Sequence, residues 1–114
     1  MQAAPLHFKT ISEVASLIET KQISPVELTE AMLGRIDSLD GRYKSYATVM
    51  ADQAMASARA AETAITAGRY AGPVHGVPIA VKDLCFTKGE GTMGGAQVFR
   101  DHVPDFDATV VEKL

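Results

Sequence analysis

Between Gly72 and Asp83 the chain reads GPVHGVPIAVKD, and no other stretch limits its fold so tightly. Pro73 and Pro78 fix φ and remove two backbone donors, while Gly72 and Gly76 admit tight or left-handed geometry. Ile79, Ala80 and Val81 then form a short apolar run after turn signals, which predicts a buried strand segment. Lys82 follows at once. Side chains alternate along a strand, so Lys82 is expected on the face of Ala80, opposite Ile79 and Val81. A lysine so placed must reach water, find a partner or shed its proton.

Each outcome has a physical form. In the first, the aliphatic stem is buried and the amine snorkels to solvent. Residue type alone favours this, because most lysines are solvated. In the second, Lys82 pairs with a carboxylate. Asp83 is adjacent, but alternation sends its side chain to the other face. In the third, a desolvated and neutral amine takes a proton from a serine hydroxyl, the serine–lysine form of nucleophilic catalysis.

Upstream, the pattern is helical. After an irregular lead-in over residues 1–9, Thr10 and Glu13 form a T-x-x-E capping box. Ile11, Val14, Ala15 and Ile18 follow at helical spacing, and the helix is expected to stop near Lys21–Gln22. Ser24, Pro25 and Glu27 open a second helix with a cap, an N1 proline and another capping box. Ile23 and Leu28 hold the positions of a hydrophobic staple. Leu28, Met32, Ile36 and Leu39 form its seam, and Asp40–Gly41 is the expected end. The two helices are expected to form a hairpin. A short strand is expected within Tyr43–Met50, where Tyr46, Thr48 and Val49 have strand propensity. An alanine-rich helix over 51–67, facing inward with Ala54, Ala58, Ala61 and Ile65, should end at Gly68.

Downstream, KGEGTMGG over 88–95 holds four glycines and reads as a loop. Ala96 to Arg100 suits a short helix, and 101–106 a connection. Asp107 is the expected N-cap of a last helix carrying Val110, Val111 and Leu114. That helix has barely begun at Leu114, so the chain reads as cut.

Composition narrows the class. With 114 residues, 46% apolar, the chain suits one globular domain. Its net charge of −3 comes from interspersed charges, which argues against a nucleic-acid surface or a polybasic membrane patch. A single cysteine, Cys85, rules out an internal disulfide framework and fits a reducing compartment. No signal peptide or membrane-spanning stretch is read from the sequence, so a cytoplasmic location is expected.

GPVHGVPIAVKD resembles the lysine motif of the amidase signature family. Further segments follow in the family's order: SPVELTEAMLGRID, the stretch YATVM, the alanine-rich helix, GEGTMGG and the closing DATVVEKL. The likeness runs from Thr10 to Leu114, and the lysine motif is its most specific part. It departs in two places. Thr92-Met93-Gly94-Gly95-Ala96 stands where the family often has T-T-x-G-S, and Leu84 where many members carry asparagine.

The resemblance implies an α/β fold, a mixed sheet flanked by helices. It implies that residues 1–114 are the N-terminal part of one amidase-signature domain, cut before a Gly/Ser-rich region. It implies hydrolysis of linear amide C–N bonds by a serine, a second serine on a cis peptide, and a lysine that maps onto Lys82. No metal or organic cofactor is implied. The implied partner is a small-molecule amide, with no membrane and no direct nucleic-acid binding. Homo-oligomers, or companion subunits of a tRNA-dependent amidotransferase whose glutaminase component releases ammonia from glutamine, are the other partners it brings in. Ser12, Ser16, Ser24, Ser38, Ser45 and Ser57 all precede the lysine, and none lies in a Gly/Ser-rich run. No nucleophile is assigned, and this stretch alone is expected to be inactive.

Rival readings remain. Cys85 with His75 as base would form a dyad across the apolar run, although a lone cysteine is more often a small buried apolar residue. His75 between turn glycines also suits a local hydrogen bond. His7, His75 and His102 are too scattered for a zinc site. The glycine loop lacks the spacing and the G-K-[ST] ending of a P-loop. Without its serines, the chain could also serve as a non-catalytic interaction module.

Overall fold

A computed structural model describes residues 4–114. Along the chain come a 3-10 turn (Leu6–Phe8), α1 (Ile11–Glu19), α2 (Pro25–Tyr43), α3 (Ala51–Thr66), a second 3-10 turn (Gln97–Phe99) and α4 (Thr109–Lys113). The chain divides into two compact units, one ending at Pro78 and one spanning Ile79–Leu114.

The first unit is a three-helix assembly. Val14 and Ile18 of α1, Leu28 of α2 and Ile65 of α3 form one buried cluster, with Leu6, Ile23, Met32, Tyr70 and Val77 packed around it. Ile18 and Leu28 are each only 1% exposed. Such burial stabilises by about 1.5–3 kcal/mol per side chain. Ile23 of the expected staple packs on the cluster that holds Leu28. The packing is not the expected α1–α2 hairpin, because α2 packs chiefly against α3.

Local capping sets the helix starts. Both expected capping boxes are present, Thr10 with Glu13 and Ser24 with Glu27. In each, the hydroxyl accepts the N3 amide while the glutamate accepts the cap residue's own N–H, satisfying two donors that a helix start leaves free. The helix ends are equally specific. At α3 the amide of Gly68 donates to Ile65 O and that of Arg69 to Ala64 O, with Gly68 at φ 82°. This is a Schellman pattern, with Gly68 ending the helix as expected. Helix α1 ends the same way, Lys21 N–H to Ile18 O and Gln22 N–H to Leu17 O, but with a lysine at φ 58° in the left-handed position.

Two expectations about ends fail. Gly41 does not terminate α2. The helix continues to Tyr43, and Lys44 takes the left-handed position at φ 50°. Asp40 explains the shift: its carbonyl accepts Lys44 N–H and its carboxylate accepts Ser45 and Tyr46 N–H, so the closing contacts lie one turn further on. Nor does Asp107 cap α4. The N-cap is Ala108, with no side-chain bond, and Asp107 instead accepts Lys88 N–H at 2.7 Å.

The expected mixed sheet is overturned. Among the described residues there is no strand, and the fold is helical. Tyr43–Met50 is the end of α2 followed by an irregular link, and Ile79–Val81 has no ladder. The reason is that a strand exists only by pairing, and its propensity is largely a fit to a covered pleated surface. Neither run has such a neighbour: Ile79 is 50% and Val81 39% exposed.

The Gly-Pro turn is nonetheless formed. His75 N–H donates to Gly72 O and Val77 N–H to Val74 O, with Gly72 at φ 136° and Gly76 at φ 84°. Gly76 has a second constraint. A Cβ there would lie 2.6 Å from Pro25 Cγ and 3.6 Å from Ile65 Cδ1. The turn therefore seats its backbone directly on the first turn of α2 and the end of α3.

The second unit is held by backbone contacts between loops. Gly89 N–H donates to Pro104 O, Thr92 N–H to His102 O and Ala108 N–H to Phe86 O. The ring of Phe86 meets those of His102 and Phe106 at centroid distances of 5.1 and 5.4 Å.

Two glycine substitutions of opposite sign test this packing. Gly76→Ala should destabilise the chain by about 2 kcal/mol or more, through left-handed strain plus overlap with Pro25. Gly34→Ala, inside α2 with open space around it, should stabilise by about 0.5–1 kcal/mol. Urea or thermal unfolding of the two variants should shift in opposite directions. Glu13 tests the first cap. Acceptance from Thr10 N–H, and then from the Thr10 hydroxyl, holds its carboxyl below the ordinary glutamate value. Its contribution is therefore complete above the ordinary glutamate range and is lost as the pH falls through the lowered value. A carboxyl NMR titration should show Glu13 moving only part of the way up toward the ordinary value in Thr10→Ala, which removes the hydroxyl and keeps the N–H.

Candidate functional site

Lys82 lies at the head of a tight turn. Its carbonyl accepts Leu84 N–H at 2.7 Å and Cys85 N–H at 2.9 Å. The side chain is exposed. Among the described residues the ion pair is Arg100–Asp101, so Lys82 and Asp83 are not paired. Of the three forms, the structure shows an exposed residue with no ion pair among the described residues, and no burial of its stem.

Asp83 is occupied elsewhere. Its carboxylate accepts Met93 N–H at 3.0 Å, and its carbonyl accepts Gly94 N–H at 2.7 Å. The residue after the lysine is therefore bonded twice to the glycine loop. In sequence Asp83 reads only as an ion-pair candidate for Lys82, because a contact ten residues away leaves no local signal. The loop's departures from the family's hydroxyl pattern do not touch this contact, which uses the backbone at Met93. Thr92 is buried, and its hydroxyl lies 3.5 Å from Glu90 O.

The other candidates separate from Lys82 in role. His75 Nδ1 accepts Ala71 N–H at 3.0 Å, and its ring stacks with Tyr70. A neutral imidazole that accepts at Nδ1 carries its proton on Nε2, so it offers no free lone pair to a thiol. That is the local hydrogen bond expected of His75, and it counts against a Cys85–His75 dyad. Cys85 is a half-buried free thiol. Ser24 is a helix cap, and Ser38 Oγ donates to Arg35 O. Ser12, Ser16, Ser45 and Ser57 are exposed. Among the described residues, no group of three or more His, Cys, Asp or Glu side chains is placed to hold a metal ion, and no helix is long and apolar enough to cross a membrane.

The chain is similar to known proteins. The family model described as Amidase matches residues 27–114, which include Lys82 and the glycine loop. The chain is 52% identical over 104 residues to the Mycobacterium tuberculosis protein named "Putative amidase AmiD", covering 91% of this chain and 22% of that protein. It is 41% identical over 109 residues to a glutamyl-tRNA(Gln) amidotransferase component of Moorella thermoacetica, covering 96% of this chain and 22% of that one. A solved structure, described as a vestigial protein complex that reveals the origins of an s-triazine catabolic enzyme, superposes with a TM-score of 0.87 at 25% identity. That match covers 92% of this chain and 23% of the other. The chain thus spans about a fifth of the length of the relatives it matches. The family model covers well over half of the chain, and the chain belongs to the amidase family.

Proposed function

We propose that this chain is the N-terminal part of a longer amidase-family enzyme, and that Lys82 is its general base. The observation that carries the reading is the family match across residues 27–114, which contains the lysine motif GPVHGVPIAVKD. In the longer enzyme a neutral Lys82 amine takes a proton from a bridging serine held on a cis peptide. That serine takes one from the serine nucleophile, which attacks the amide carbon of a linear substrate. Backbone N–H groups stabilise the oxyanion. Collapse breaks the C–N bond, the relayed proton leaves with the amine, and water hydrolyses the acyl-enzyme. Both serines belong to the part of the enzyme beyond this chain.

A second reading is favoured by the 41% identity to an amidotransferase component. The same groups would then release ammonia from glutamine for a companion protein of the amidotransferase. Glutamine-dependent transamidation, present only when the companion proteins are added, separates the two.

The test is substitution in the full-length enzyme. Lys82→Ala should lower kcat by about 10²–10⁴-fold, the usual contribution of a general base. Wild-type turnover in Lys82→Ala would overturn the assignment. The 114-residue chain by itself should turn over no amide above background, and turnover that depends on Cys85 would restore the cysteine dyad.

A further inference from the structure

We propose that Asp83 is the positioning residue of Lys82, acting through geometry and not through charge. This rests on the assignment of Lys82 as the base. A lysine has a flexible four-carbon stem, so the fold can fix only its backbone and the direction in which the stem leaves. Here the backbone is fixed on the downstream side by two sets of bonds. The Lys82 carbonyl closes the turn onto Leu84 and Cys85. Asp83 then anchors that turn to two successive amides of the glycine loop, Met93 through its carboxylate and Gly94 through its carbonyl.

The loop is a firm anchor. Its start is held by Lys88 N–H on Asp107 and by Gly89 N–H on Pro104 O, and its middle by Thr92 N–H on His102 O. Gly94 and Gly95 take φ 57° and 74°, so the end of the loop depends on backbone that other residues adopt only with strain. Asp83 is half-buried, and its carboxylate accepts from a neutral amide while forming no ion pair among the described residues. An acceptor oxygen at that point is therefore what the contact requires. Asparagine supplies one in the same place without the charge. Glutamate keeps the charge and moves the oxygen by one carbon.

The experiment compares Asp83→Asn, Asp83→Glu and Lys82→Ala in the full-length enzyme, with kcat and KM measured separately. Amide exchange at Met93 is followed in the same variants. Asp83→Asn should keep kcat within about threefold and keep Met93 protected. Asp83→Glu should lose roughly ten- to a hundredfold in kcat, in line with the cost of misplacing a catalytic group by about 1 Å, with KM nearly unchanged and Met93 exchanging faster. Asp83→Asn falling as far as Asp83→Glu would overturn the proposal in favour of charge. Full activity in Asp83→Glu with Met93 deprotected would overturn it by showing that the anchor does not matter. Full activity in Lys82→Ala would remove the base itself, a failure distinct from either.

Discussion

The helical half of this chain depends on one close approach. The backbone of Gly76 lies so near Pro25 that no Cβ fits between them. Pro25 is itself the first residue of α2, fully buried and set by the Ser24 capping box. Ile65, on the other flank of Gly76, belongs to the core cluster near the end of α3. The Gly-Pro turn is thus a tertiary contact that closes the space between two helix ends. A larger residue at 76 would have to displace a proline whose φ is already fixed, and a proline yields less than a flexible side chain.

The second half is organised by different physics. It has little apolar core, and most of its hydrogen bonds join one loop backbone to another. In such a segment the polar groups that a helix or sheet would pair must find partners individually. Asp83 and Asp107 do this: each carboxylate takes an amide from an end of the glycine loop. Bonds of this kind contribute about 1 kcal/mol each and are lost one at a time. The order of the segment therefore rests on several small terms, in contrast to the few large burial terms under α1, α2 and α3.

This difference explains what could be read from the sequence. Thr10–Glu13 and Ser24–Glu27 were legible because a capping box lies within four residues. Gly68 was legible for the same reason, and so was the alanine face of α3, of which Ala58 and Ile65 are buried. Gly41 misled because a glycine near an aspartate is a common helix stop, while Asp40 here closes the helix from its side chain. Asp107 misled because its partner, Lys88, lies nineteen residues away. The strand at Ile79–Val81 misled because propensity states what a residue tolerates, whereas a strand needs a second backbone beside it. At the candidate site, Lys82 stood out through its motif, but Asp83's part could not be seen without the loop in place.

Lys82 joins a well-anchored backbone to an exposed side chain. A solvated ammonium has no lone pair to receive a proton, so the proposed base role requires more than the exposed position that Lys82 has here. Anchoring alone does not cure that, because it acts on position and not on solvation. The two requirements are separable, and this chain meets only the first. Under the proposed mechanism, desolvation would have to come from surface that covers the amine, and the bridging hydroxyl would have to arrive with it. The general base proposed at Lys82 would therefore act only once such a cover is in place.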